Sequence, residues 1–450
     1  MNRTCRTIGP EPRRMAAVFG ALCLLLAVCG DASAATDPRG AAFANLWNEH
    51  ADRAVDQFRL WQRENPGDRD PATRRGLALA LSWYGLQRQA ADIYSDLIAE
   101  NPLDADARIG LARCRIWGNR LHAGWGTLRG VETDTRLSAA ARTEAGDFAL
   151  RVLDEYTPHA SLAWQGSWDS DDLDVQRLSA LGATTVGGRA MVQVGMRLSR
   201  YAQPGQPDVT AMRWQMLLTA GLAPHLSCHA TGWFEHFGSD GPPAGASEKL
   251  DWNRPGADVW LTWQPTSRLR FDGGAASQPV ETYLAFAREI GYEQENLSCE
   301  LRVAKAWSVG ASGTRATFSD GNRRLQGRLQ AGWHYEGAVN LDVIAAFTHM
   351  DDTLAYPGGY WSPDWVRNGS LTVRLKRFGR RWTFALEGST GQEKEAAADG
   401  IGVGGGSGRI GLRVAPSWLI AIEGGHSRSS FVTSSGYHRT FAGLSVRGVF

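Results

Sequence analysis

The sequence predicts an α + β chain in two parts, a short amino-terminal α-solenoid and then a transmembrane antiparallel β-barrel of about sixteen strands, with fourteen as the alternative count. Three observations carry this. Apolar residues recur with a helical period from about Gly40 to Tyr156, where a 36-residue unit repeats. From His159 to Phe450 the period is two instead. Beyond residue 28 no run approaches the ~18 apolar residues that a membrane helix needs, so a membrane form of this chain crosses with strands. Those strands must close on themselves, because in lipid only helices and closed barrels satisfy every backbone group. The 52 Gly and 18 Trp, many of them after residue 158, are unusual for a helical protein. A net charge of +1 argues against a nucleic-acid partner bound by phosphate neutralisation.

Arg3, Arg6, Arg13 and Arg14 precede an apolar run from Met15 to Val28, and Ala32-Ser33-Ala34 suits a signal peptidase. Residues 1–34 therefore read as an export signal, with a mature start near Ala35. Leu26-Ala27-Val28-Cys29 approximates a lipobox with Val28 where a small residue is preferred, which leaves acylation of Cys29 open. After cleavage Cys114, Cys228 and Cys299 remain, with neither a disulfide framework nor metal spacing. Cys228 and Cys299 would pair only if neighbouring strands brought them together.

Residues 35–156 form the helical part. Glu64-Asn65-Pro66-Gly67-Asp68 recurs as Glu100-Asn101-Pro102-Leu103-Asp104, and the same offset matches Ala54 with Ala90 and Phe58 with Tyr94. The second unit places Leu77 and Ala78 in a first helix, Ala90 and Tyr94 in a second, and Pro102 at the unit's end. A third unit keeps Leu111 and Ala112 and has Gly124 where Ala is expected, and Leu137 to Tyr156 reads as a capping helix. These units resemble tetratricopeptide repeats, whose period is about 34 residues. The resemblance implies that Ala54, Phe58, Pro66, Leu77, Ala78, Ala90, Tyr94 and Pro102 are packing positions and that the module is a docking surface.

Residues 157–450 form the barrel. Alternation places strands at 159–168, 176–184, 189–200, 211–221, 226–236, 256–264, 268–275, 294–303, 307–316, 324–335, 339–348, 368–377, 381–389, 407–414 and 418–425, before a last strand ending at Phe450. Trp382, Phe384 and Leu386 against Thr383, Ala385 and Glu387 is a clear case. Short connections near Leu222, Pro265, Ala304, Tyr335, Phe378 and Ala415 alternate with long ones at 203–209, 238–250, 277–291, 350–365, 391–406 and 427–436, as in membrane barrels. Tyr283 to Ile290 reads as a short loop helix. The closing strand, with Ala442, Leu444, Val446 and Phe450 on one face and Arg439, Ser445 and Arg447 on the other, resembles the carboxy-terminal signal of outer-membrane barrels. That resemblance implies recognition of Phe450 by the barrel-insertion machinery.

The polar face carries Arg197, Arg213, Arg270, Arg302, Arg328, Arg374, Lys376, Arg409, Arg413, Arg439 and Arg447 against Glu235, Asp272, Glu300, Asp342, Glu387 and Glu423. Such a lumen holds a hydrated path, and its basic surplus favours neutral or anionic cargo. No catalytic set, metal spacing or cofactor motif emerges. Gly400 to Gly408 lies between two strands and reads as an external loop rather than a phosphate cradle. Asp169, Asp171, Asp172 and Asp174 read as a solvated acidic loop, lacking the Gly and distal Glu of a calcium loop. Tyr356, Tyr360, Trp361 and Trp365 suit either stacking on sugar or an interfacial girdle.

Export signal, repeats and barrel in this order resemble the outer-membrane exporters of secreted polysaccharides, the poly-N-acetylglucosamine and cellulose export porins. The resemblance implies an outer-membrane pore without chemical turnover, a periplasmic module that docks the polymer or the proteins that make or modify it, and outer-membrane lipid around the barrel. The order also resembles the surface-lipoprotein assembly modifiers, whose repeats would bind a client polypeptide. A barrel enzyme acting on lipid or glycan would need a catalytic set that the sequence does not display.

Overall fold

The structure, a computed structural model, describes residues 37–450 apart from 49, 119, 156–157, 187–189, 224, 245, 267, 338, 356–357, 397–398, 416 and 429–436. The export signal, Cys29 and Tyr356 lie outside the described residues.

Helices α1 (Pro38–Trp47), α2 (Ala51–Glu64), α3 (Pro71–Trp83), α4 (Gln87–Glu100), α5 (Ala105–Trp117), α6 (Leu121–Thr133) and α7 (Ala139–Glu155) stack in sequence order. An aspartate starts each first helix of a pair: Asp37, Asp70 and Asp104 accept backbone N–H bonds from the turn they open. Proline follows two of them, at Pro38 and Pro71, where a missing N–H costs nothing. Ala54, Phe58, Leu77, Ala78, Ala90 and Tyr94 are buried in one core, each large side chain contributing about 1.5–3 kcal/mol. Pro66 and Pro102 do not pack there, since both sit exposed in the turns that end the units. At Gly110 a Cβ would fall 2.4 Å from the Tyr94 ring. Gly110→Ala should therefore cost about 1–3 kcal/mol by overpacking. A lower thermal midpoint of the helical signal in the full-length protein checks it, and an unchanged midpoint would refute the close-packing argument.

Sixteen strands follow: β1 (His159–Asp169), β2 (Asp174–Val186), β3 (Ala190–Ala202), β4 (Val209–Ala223), β5 (Leu226–Ser239), β6 (Asp251–Trp263), β7 (Leu269–Pro279), β8 (Gly291–Ala304), β9 (Trp307–Phe318), β10 (Arg323–Tyr335), β11 (Asn340–Asp352), β12 (Trp365–Phe378), β13 (Trp382–Glu395), β14 (Ile401–Ala415), β15 (Trp418–Arg428) and β16 (His438–Val449). A short helix, α8 (Tyr283–Ala287), lies between β7 and β8. Each strand pairs antiparallel with its neighbours in sequence, and β1 pairs with β16, closing the ring. The outer face exposes Leu162, Val194, Met216, Leu329, Leu386, Ile422 and Leu444, with Trp263, Trp307, Tyr335, Phe378, Trp382 and Trp418 at the short-turn end. That is an apolar band with an aromatic girdle. Phe450 is 76% exposed, and its backbone N–H donates to the Pro158 carbonyl at 3.0 Å.

Two expectations need correction, and one open question closes. Most of the glycine run from Gly400 to Gly408 belongs to strand β14, not to a loop. Close approach explains it, because a Cβ at Gly404 would meet the Ser389 carbonyl at 2.7 Å and one at Gly405 the His426 carbonyl at 2.7 Å. Cys228 and Cys299 form no disulfide with each other, since they lie on β5 and β8 with two strands between them. Several strands also run beyond their expected long-loop ends, β6 by starting at Asp251 and β13 by reaching Glu395.

The turn side of the helical stack meets the short-turn rim of the barrel. The Tyr84 ring lies 4.6 Å from that of His225 in the β4–β5 turn. Burial, and then the Arg268 guanidinium of the β6–β7 turn, lower the His50 imidazole pKa. On α7, Asp147 accepts from Arg380 of the β12–β13 turn, a solvent-exposed pair that adds little stability. The β4–β5 and β12–β13 turns lie on opposite sides of a sixteen-strand ring, so the helices bridge the opening between them.

Candidate functional site

The interior is the candidate site. Its wall consists of the residues that alternate with the exposed apolar ones. Arg197 on β3 and Arg213 on β4 are neighbours in register, and both reach Glu235 on β5, at 3.1 and 2.6 Å. Arg374 meets Glu387 at 2.6 Å, with Lys376 two residues along the same face. Arg409 stands opposite Glu423 on adjoining strands. Arg270 pairs with Asp272 at 2.8 Å, and across from it on β8 stands Glu300. Arg302 follows Glu300 on that face, and Arg328 lies against Gln330. Arg439 donates to Ser167 at 2.7 Å, Arg447 lies 3.0 Å from His159, and Arg413 is buried on β14. His334 bridges Ser308 and Asp342, each at 2.8 Å.

Sequence reasoning missed further inner-face groups. Asp258, Asp352, Glu393 and Glu395, with Glu281 from the β7–β8 loop, outnumber the additional Arg177, Arg254 and Arg324, so the basic surplus narrows. Many of these cations are held by carboxylates rather than open to cargo.

The second omission is the loop carrying Glu281 and α8, which folds into the barrel mouth instead of standing outside. Tyr283 and Phe286 bury against Val175, Tyr201, Val209, Ala211, Phe237 and Trp252 from β2 through β6. Phe286 lies 4.8 Å from Tyr201 and 5.4 Å from Phe237, and the Tyr283 hydroxyl donates to the Tyr201 carbonyl at 2.7 Å. Glu281 accepts from Arg177 and from the Tyr201 hydroxyl, with Arg197 at 3.9 Å. Burial alone would raise the Glu281 pKa, but Arg177 and Arg197 overcome it and hold the carboxyl below its ordinary range. The signal was present in the sequence as a change of phase. On β3, Val194, Met196 and Leu198 face outward, whereas Tyr201 faces inward and Arg200 pairs outside with Asp208.

The β11–β12 loop completes this plug. Thr282 donates to the Gly359 carbonyl, Arg288 to that of Gly358 at 2.9 Å, and Arg324 to that of Trp361 at 2.7 Å. Trp361 is buried with Met350 and Val366, and Tyr360 stacks on Phe318 at 4.5 Å. Trp361 thus has no open face for sugar or lipid, and one face of Tyr360 is taken by Phe318. Trp365 lies under the Arg367 guanidinium. Asp169 turns its carboxylate onto the backbone N–H groups of Asp171 and Leu173, and no cluster among the described residues has a metal-binding arrangement. Beneath the plug lies a cavity of about 320 Å³ lined by Gln165, Arg177, Arg197, Gln215, Glu423 and Ser445 among others. Amides, hydroxyls and paired charges of this kind hydrogen-bond water and hydroxylated solutes alike.

No protein-family model and no curated protein matches the chain. Solved structures do. A bacterial polysaccharide outer membrane secretin aligns with TM-score 0.51 at 11% identity, covering 65% of this chain and 98% of the other. CdiB from Acinetobacter baumannii aligns with TM-score 0.41 at 8% identity, over 65% and 60% of the two chains. The monoaromatic hydrocarbon channel CymD gives 0.38 at 11%, over 67% and 91%. At such identities the first likeness is one of fold alone, that of a closed outer-membrane β-barrel.

Proposed function

We propose that the chain is an outer-membrane pore that passes a secreted polysaccharide outward, with the helical units in the periplasm receiving the polymer or the proteins that deliver it. The observation that carries this reading is the bridge of helices across the short-turn opening, from the β4–β5 rim to the β12–β13 rim. A solute entering a simple diffusion pore needs no such structure, whereas a polymer that must be received and fed does. The inner wall supports the reading, since paired charges and amides compete for hydroxyls without trapping one ion. The solved secretin named for bacterial polysaccharide adds a likeness of fold.

Deletion of the gene should abolish extracellular polysaccharide and leave polymer in the periplasm, read by carbohydrate staining of the two fractions. Undiminished extracellular polymer would overturn the proposal. Loss of one surface lipoprotein with polysaccharide unchanged would transfer the helices to a polypeptide client.

A further inference from the structure

Three tryptophans occupy one position in three successive helical units. Trp47, Trp83 and Trp117 are the last residues of α1, α3 and α5. The following residue closes each helix in the same way, with Asn48, Tyr84 and Gly118 donating backbone N–H groups to Ala44, Ala80 and Cys114. The preceding residues, Leu46, Ser82 and Ile116, are buried. The indoles are not: they are 60%, 38% and 45% exposed. Single exposed apolar residues need no explanation, but a large aromatic repeated at one structural position is a row.

We infer that Trp47, Trp83 and Trp117 form a ladder of aromatic platforms for a linear polysaccharide at the short-turn opening of the barrel. The inference rests on the export reading and deepens it by naming the binding site. Position supports it. Trp83 adjoins Tyr84, whose ring contacts that of His225 on the rim, and Trp47 lies three residues before His50, which feels the Arg268 charge. Trp117 belongs to the unit between that contact and α7, whose Asp147 reaches the opposite rim, so this step lies over the opening. Spacing supports it too. The first helices of successive units touch, and touching helices lie about 8–10 Å apart, so the helix axes that carry the indoles recur at roughly that interval. A linear glycan presents apolar C–H faces at regular intervals. Indole faces hold such rings without fixed hydrogen bonds, and several weak contacts in series retain a chain that still slides. The membrane interface also attracts tryptophan, and the test includes that occupant.

The full-length protein in detergent is titrated calorimetrically with chitohexaose and with cellohexaose, as wild type, as each Trp→Ala variant, as the triple Ala variant and as the triple Phe variant. Each single Ala variant should bind roughly 2- to 10-fold more weakly. The triple Ala variant should lose binding, the triple Phe variant should recover part of it, and all should keep the wild-type helical signal. Equal binding by wild type and triple Ala, or none by wild type, overturns the ladder. So does a triple Ala variant whose only loss is adsorption to vesicles of phosphatidylethanolamine and phosphatidylglycerol. Cells carrying the triple Ala variant distinguish the two levels of the argument. Normal export there with export lost in the deletion strain sinks the ladder alone, whereas undiminished polymer in the deletion strain sinks the export reading itself.

Discussion

Replacing residues 281–290 with a short Gly-Ser turn should convert the barrel from a mostly closed to a continuously conducting pore in planar-bilayer recordings. The loop removed is what fills the long-loop mouth, through α8 and the aromatic cluster around Tyr201, Phe237 and Trp252. Two kinds of interaction hold it, and they differ in size. Tyr283 and Phe286 each contribute about 1.5–3 kcal/mol by burial. Glu281→Gln instead removes only the carboxylate that neutralises Arg177 and faces Arg197. A third of that side chain, 34%, still meets solvent, so about 2–3 kcal/mol is a fair figure, below that of a fully buried pair. This corresponds to a roughly 30- to 150-fold shift in the open population. Glu281→Gln should therefore produce frequent openings, and loop replacement permanent ones. A pore of wild-type conductance after loop replacement would show that the plug lies elsewhere.

The same carboxylate sets a pH dependence. Its pKa is lowered when the loop is docked, so its contribution is complete above the ordinary glutamate range and disappears as pH falls through the depressed value. Openings should become more frequent on acidification below that range, and Glu281→Gln should remove the dependence.

Much of the architecture was legible because membrane barrels impose a simple code, apolar outward and polar inward at a period of two. Leu371, Val373 and Leu375 against Thr372, Arg374 and Lys376 obey it, and so does the strand ending at Phe450. The code fails where its physical cause stops. Toward the long-loop end the inner face packs against α8, so Val175, Tyr201, Phe237 and Trp252 turn inward and the polar residues outward. Strand ends there, such as Asp251 to Pro255 on β6, fell outside the expected strands. The run at Gly400 was opaque for a different reason, since glycine has no side chain with which to register a face. Charge pairing was partly legible: register brings Arg374 to Glu387 and Arg409 to Glu423. Glu281 itself was not, because a loop carries no strand period of its own; only the phase change on β3 at Tyr201 marks the wall it packs against.

Glu235→Leu should destabilise the barrel by about 3–5 kcal/mol, because its side chain is 1% exposed and neutralises two guanidiniums at once. Without it Arg213, 8% exposed and held 4.2 Å from the Trp233 ring centre, keeps a cation–π contact but, among the described residues, no carboxylate at ion-pair distance. Arg197 keeps only the more distant Glu281. Adding Arg213→Met should recover most of the loss, since the remaining charges, Arg197 and Glu281, still have each other and an apolar pair replaces a desolvated ionic one. Urea unfolding of the folded barrel, followed by its gel mobility with and without heating, measures both variants against the wild type in one experiment. If the double variant is no more stable than Glu235→Leu alone, then the cost comes from lost packing rather than from an orphaned charge. Recovery would separate two roles within one cluster: Glu235 stabilises the wall, while Glu281, 3.9 Å from the same arginine, holds the plug. Because Arg197 is shared, loosening either carboxylate strengthens the claim of the other on it, and the two substitutions should combine non-additively in both stability and conductance.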